Sequence, residues 1–133
     1  MKDGLEAGKT EFFKVTVTED MFAQFEGEII HSAYSTVSMV YHMELISRKL
    51  ILPYLESHEE TMGAAVHVKH SAPSPSPLGS TITVTATVKK VRPRSIVTGV
   101  TLRNERGIIG EGEVKQAVLP KSYIRKQLDL LES

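Results

Sequence analysis

The chain has 133 residues, with 16 basic and 16 acidic side chains, no cysteine and no tryptophan. That length fits one domain spanning 1–133 with a sizeable core, and the balanced charge argues against nucleic acid or an acidic membrane surface as partner. The missing cysteines exclude disulfides and thiolate metal sites, no apolar run approaches the roughly 20 residues that span a bilayer, and no secretory leader pattern opens the chain, so a soluble cytoplasmic protein is expected.

Phe12 to Thr18 alternates apolar and polar residues and predicts a first strand. Thr18 followed by Glu19-Asp20 predicts a short helix over 19–25, with the threonine as N-cap. Glu26 to Tyr34 reads as irregular. Met39, Val40, Met43, Ile46, Leu50 and Ile51 then recur at spacings of three and four, which predicts an amphipathic helix. Ser35 or Thr36 is its N-cap, and Pro53 ends it.

Thr61 to His70 predicts the second strand, and the proline-rich stretch Ser71 to Gly79 predicts a loop, because prolines cannot donate to a ladder. In Ser80 to Lys90 the residues Thr81, Thr83, Thr85 and Thr87 face one way and Ile82, Val84, Ala86 and Val88 the other, the clearest strand signal in the chain. Val91 to Arg94 turns it into a strand over Ser95 to Asn104. Glu105-Arg106-Gly107 turns again, and Ile108 to Leu119 is the last strand, followed by a C-terminal helix over Lys121 to Leu131. One strand, one long helix and four strands on mostly short turns predict an α+β domain, an antiparallel meander wrapped round a central helix. The mild threonine face reads either as a subunit contact, pointing to a homodimer, or as a solvated face.

Thr36, Glu44 and His70 are polar residues set against apolar sequence, and a hydroxyl, a carboxylate and an imidazole suit hydrolysis. Each has a plainer reading: helix capping for Thr36, an ion pair with Arg48 at i+4 for Glu44, and a strand-end hydrogen bond to the following loop for His70. Eight residues of continuous helix put Thr36 and Glu44 about 12 Å apart, so groups surrounding a substrate are expected rather than a linear relay. Gly63 would either bring a backbone N–H close to a ligand or relieve a bulge. His67 faces away from His70 and is the weaker candidate, while His42 on the helix would pair with a neighbouring polar group. No His/Asp/Glu set has metal-ligand spacing, and no Gly-rich phosphate loop is present. The basic run Lys89 to Arg94 reads as a phosphate contact or as a solvated hairpin tip.

Tyr34 to Glu44, then Pro53-Tyr54-Leu55-Glu56, Met62-Gly63, Val66 to His70 and Gly110-Glu111-Gly112, in that order and spacing, resemble the fluoroacetyl-CoA thioesterase family among the hotdog-fold thioesterases. The opening Met1-Lys2-Asp3-Gly4 is similar as well. The resemblance implies a hotdog fold and an acyl-CoA thioesterase without a cofactor, working as a homodimer with its site at the subunit interface. It implies that Thr36, Glu44 and His70 are catalytic, that the Gly63 N–H lies near the thioester carbonyl, and that Tyr34, Ser35 and Gln116 bind substrate. Two departures bear on specificity. The family carries a longer insert with lid phenylalanines before the threonine, where this chain has Glu26 to Ser35 without phenylalanine, and it carries arginine where this chain has Gln116. Fluoroacetyl specificity therefore does not follow from the match. The competing readings are a non-catalytic hotdog module that binds acyl-CoA and a hotdog hydratase, although the Asp–His pair expected of the latter is missing.

Overall fold

A five-stranded antiparallel sheet, in the order β1-β5-β6-β7-β4, curves round the central helix α1. Its strands are β1 (Thr10–Thr16), β4 (Glu59–His70), β5 (Thr81–Arg92), β6 (Ser95–Asn104) and β7 (Gly107–Pro120). A separate hairpin of β2 (Phe22–Phe25) and β3 (Glu28–Tyr34) precedes α1 (Thr36–Ile51), and α2 (Lys121–Glu132) closes the chain. The structure is a computed structural model describing residues 1–71 and 78–132, so most of the proline-rich loop expected after β4 lies outside the described residues. Among the described residues no helix is long and apolar enough to cross a membrane.

The helix forms where the apolar spacing placed it. Ser35 is the N-cap, its hydroxyl accepting from the Ser38 N–H at 3.0 Å. Pro53 follows in a short 3-10 turn, Leu52–Tyr54, that continues and ends the helix. Met39, Met43, Ile46 and Leu50 are buried on one side of α1, in one core with Ile82, Val84, Ala86 and Val88 of β5 and Ile96, Val100 and Leu102 of β6. Each of these side chains larger than alanine contributes about 1.5–3 kcal/mol relative to exposure. Two polar residues share the helix's buried side. Ser47 meets Thr98 at 2.6 Å and donates to the Met43 carbonyl, and His42 meets Tyr34. Gly112 on β7 has no room for a side chain, since a Cβ there would collide with the His67 carbonyl of β4.

Three expectations need correction. The segment 19–25 is helical only over Glu19–Met21, in a 3-10 turn, and then extends as β2. Glu26 to Tyr34 is not irregular but supplies the turn and β3, paired antiparallel with β2. The last four strands are not a simple meander: β5, β6 and β7 are, but β4 pairs with β7 rather than with β5. The β4–β5 connection is long enough to carry the chain to the other side of the sheet, where β5 also pairs with β1. The threonines of β5 lie on the face opposite its buried residues, exposed or half-buried.

Candidate active site

The start of α1 and the end of β4 meet. Thr36 Oγ1 and His70 Nδ1 lie 2.9 Å apart. Because Ser35 takes the capping role, the Thr36 hydroxyl is not spent on the helix start. His70 is half-buried, and burial lowers its pKa below the usual imidazole value, which favours a neutral ring at pH 7. A neutral imidazole with its proton on Nε2 accepts the Thr36 hydroxyl at Nδ1 and presents a donor on its far side. The helix also offers its dipole here, and its first-turn N–H groups precede the Met39 N–H to Ser35 carbonyl bond.

Glu44 sits further along the helix, half-buried. Its carboxylate rests against Gly63, whose ideal Cβ would lie 2.6 Å from Glu44 Oε1. Gly63 also borders the one-residue bulge of β4 against β7, so the bulge and the close approach coincide. The Arg48 partnership weighed for Glu44 is not made: Arg48 instead reaches both oxygens of Glu60 at 3.0 and 3.1 Å. Gln116 on β7 is 4 % exposed and donates from Nε2 to the Glu44 backbone carbonyl at 3.2 Å, while its Oε1 has no hydrogen-bond partner among the described residues. Tyr41, Glu44, Leu45, Arg48, Gly63 and Gln116 help to line a pocket of about 280 Å³. A second pocket of about 220 Å³ lies beside Thr36, between β2 and the start of α1, with Phe22, Phe25 and Val37 in its wall.

The candidate residues thus fall into two groups, Thr36 with His70 and Glu44 with Gly63 and Gln116, and among the described residues no hydrogen bond joins them. Tyr34 stands apart. Its ring is buried against His42, with its hydroxyl 2.5 Å from His42 Nδ1 and the two rings stacked, and Phe13 and Tyr41 meet the imidazole edge-on. Burial raises the Tyr34 phenol and lowers the His42 imidazole pKa, keeping both neutral. The Tyr34 side chain is therefore committed to the core and can face a ligand only through its backbone. Ser35 is likewise occupied with capping. The sequence places His42 beside a polar partner but does not identify Tyr34 as that partner, although His42, three residues after Met39 and four before Ile46, lies on the apolar stripe. His67 points to the outer face of the sheet, and the tip Lys89 to Arg94 is exposed. Among the described residues no three His, Asp or Glu side chains converge as metal ligands.

Residues 17–122 match the family model for fluoroacetyl-CoA-specific thioesterase. The fluoroacetyl-CoA thioesterase of Streptantibioticus cattleyicolor is 32% identical, with 90% of this chain and 88% of that protein covered. A thioesterase superfamily member of Thermus thermophilus superposes with a TM-score of 0.91 at 34% identity, over 98% of this chain and 95% of the other. A point mutant of the fluoroacetyl-CoA-specific thioesterase FlK, solved in complex with fluoroacetate and CoA, superposes with a TM-score of 0.82 at 26% identity, over 90% and 99% of the two chains.

Proposed function

The chain belongs to the fluoroacetyl-CoA-specific thioesterase family of hotdog-fold acyl-CoA thioesterases, and we propose that it hydrolyses a small acyl-CoA through Glu44, His70 and Thr36. The observation that carries this reading is the contact of Glu44 with Gly63 on one side of α1 and of Thr36 with His70 at its start. A thioester carbonyl is already electrophilic, so the site must deliver a nucleophile and stabilise an oxyanion. Glu44 supplies the carboxylate at the carbonyl, and the N–H of Gly63, a residue with no side chain to hold a ligand off, supplies an oxyanion donor. His70, held by Thr36, manages the proton that leaves with coenzyme A. The pocket beside Thr36, walled by Phe22, Phe25 and Val37, suits a small apolar acyl group.

The unit spans residues 1–133 and works in the cytoplasm as a homodimer. β4 is an edge strand whose outer side pairs with no other strand among the described residues, and exposed Val37 and Tyr41 on α1 and Met62 on β4 leave apolar surface nearby. A partner subunit there closes the gap between the two groups of site residues. Light scattering on the purified protein should return twice the chain mass.

The test is release of free thiol from a panel of acetyl-, fluoroacetyl-, propionyl- and butyryl-CoA by wild type, Glu44→Ala and His70→Ala. Turnover by wild type and loss in both variants is expected. Equal rates in all three would overturn the assignment. The panel also measures how the phenylalanine-free segment before Thr36 and Gln116 set acyl preference.

A further inference from the structure

Cations gather at the end of the sheet next to the Glu44 pocket. Arg48 lines that pocket, and its guanidinium donates to both oxygens of Glu60 at 3.0 and 3.1 Å. Glu60 in turn lines another cavity, of about 320 Å³, together with Lys121, Ile124, Arg125 and Leu128 of α2. The Arg48–Glu60 pair therefore stands between two hollows, one against Glu44 and Gly63 and one bordered by α2. The hairpin tip weighed from sequence as a phosphate contact comes to the same end. The Val118 N–H donates to the Arg94 carbonyl at 2.9 Å, and Val118 pairs with Thr61, the neighbour of Glu60. Charges do not cancel here. Glu60 is taken by Arg48, and Glu59 by the Met1 amino group at 3.0 Å. The Thr61 N–H, Arg48 and Lys121 together hold the Glu60 carboxyl below the usual carboxylate range, so it stays an anion. Among the described residues Arg94, Lys121 and Arg125 have no ion-pair partner, and Asp129, one turn beyond Arg125, does not line the cavity.

We propose that the cavity bordered by α2 seats the nucleotide end of the substrate: Lys121 and Arg125 bind the phosphates of coenzyme A while the pantetheine arm runs past the Arg48–Glu60 pair to Glu44. Glu60 and Gly63 are three residues apart on one strand, about 10 Å, a span that an extended pantetheine arm covers. An ammonium and a guanidinium suit phosphate oxygens, which accept charge-assisted hydrogen bonds from both. Ile124 and Leu128 offer the adenine an apolar wall. Arg94, at the same end, adds positive potential that draws in a polyanion. These contacts lie away from the bond that breaks and are equal in the ground and transition states, so they act on KM rather than on kcat. This inference rests on the thioesterase reading above and adds where the nucleotide of its substrate is held.

The experiment measures thiol release from the best acyl-CoA of the panel and from the same acyl group on pantetheine, which lacks the nucleotide. Wild type is compared with the double variant Lys121→Ala/Arg125→Ala, whose circular dichroism spectrum should be unchanged. The double variant should raise KM for the acyl-CoA about tenfold with kcat within about threefold, and its kinetics on the acyl-pantetheine should match wild type. Lys121→Arg/Arg125→Lys keeps both charges and should hold KM for the acyl-CoA within about threefold of wild type. An unchanged KM for the acyl-CoA in the alanine variant would overturn the proposal. So would an equal loss on both substrates, or a charge-keeping variant as weak as the alanine one. Calorimetric titration with adenosine 3′,5′-bisphosphate needs no turnover. Wild type should bind it and the alanine variant should bind about tenfold more weakly; equal affinities, or no binding to wild type, would refute the site. If wild type hydrolyses no thioester yet binds the bisphosphate through Lys121 and Arg125, the thioesterase reading fails and the nucleotide site stands. If the alanine variant turns over the acyl-CoA with the wild-type KM, only the nucleotide site fails.

Discussion

Replacing Gly63 by alanine separates stability from activity. Gly63 does not have a positive φ, so an alanine fits the backbone without strain. The added Cβ would stand 2.6 Å from Glu44 Oε1, whereas ordinary contact begins at 3.4 Å. The carboxylate must therefore retreat by roughly 0.8 Å, and it can, because the contact is the far end of a flexible side chain rather than backbone. Folding loses little, and the smaller entropy of the unfolded chain offsets the clash by about 0.4–1 kcal/mol. Catalysis fares differently: a misplacement of about 1 Å costs on the order of 100-fold, or about 2.7 kcal/mol of barrier. Urea denaturation is expected to place Gly63→Ala within about 1 kcal/mol of wild type, while thiol release shows kcat/KM lower by about two orders of magnitude. Activity within threefold of wild type in a folded variant would refute the placement of Glu44 at the reacting carbonyl. A variant that does not fold would refute the claim that only a movable group is in the way.

Gly112→Ala should behave oppositely, because its Cβ meets the backbone carbonyl of His67 and cannot be accommodated by a rotamer; a loss of about 3 kcal/mol is expected by urea denaturation, and a loss below about 0.5 kcal/mol would contradict it. Ser35→Ala removes the N-cap and should cost about 1 kcal/mol, whereas Thr36→Val should leave the denaturation midpoint nearly unchanged yet lower kcat at least tenfold; the reverse pattern would exchange the roles of the two hydroxyls. Burial lowers the pKa of both His42 and His70 below the ordinary 6.5, so the unfolded chain binds protons that the folded chain refuses. Their stabilisation is complete above about pH 6.5 and is lost as pH falls through the depressed values. Denaturation midpoints should therefore drop between about pH 7 and pH 5, and a flat profile would show that these imidazoles are not held neutral.

The parts legible in the sequence were those governed by local periodicity. The central helix from Ser35 to the proline turn, the alternation of β5 and the termination before Pro53 all follow from spacing and capping within a few residues. The hairpin before α1 was missed for a local reason too. Its two-residue turn is Glu26-Gly27, both at positive φ, the geometry that Asn-Gly or Asp-Gly usually announces. Glutamate in the first position hides the signal, and the exposed Phe25, Ile29 and Ile30 blur the alternation. Other misses were tertiary. The pairing of β4 with β7 depends on where a long loop lands, and the capture of Arg48 by Glu60 depends on that pairing, so an i+4 rule on the helix alone could not find it. The resemblance puts Tyr34 at the substrate, yet strand geometry turns its ring to His42. For the candidate site, residue types and order were readable, but the close fit of Glu44 against Gly63 and the unpaired oxygen of Gln116 exist only once helix and sheet are packed.

Adjacent hydroxyls at the head of α1 divide two duties. Ser35 nucleates the helix and Thr36 faces the imidazole, so a change at one position leaves the other's task intact. Where a single residue both caps and reacts, every substitution that tunes chemistry also weakens folding. On the proposed reading, the position facing the imidazole can vary at little thermodynamic cost, which gives this end of the site freedom to diversify while the scaffold stays constant.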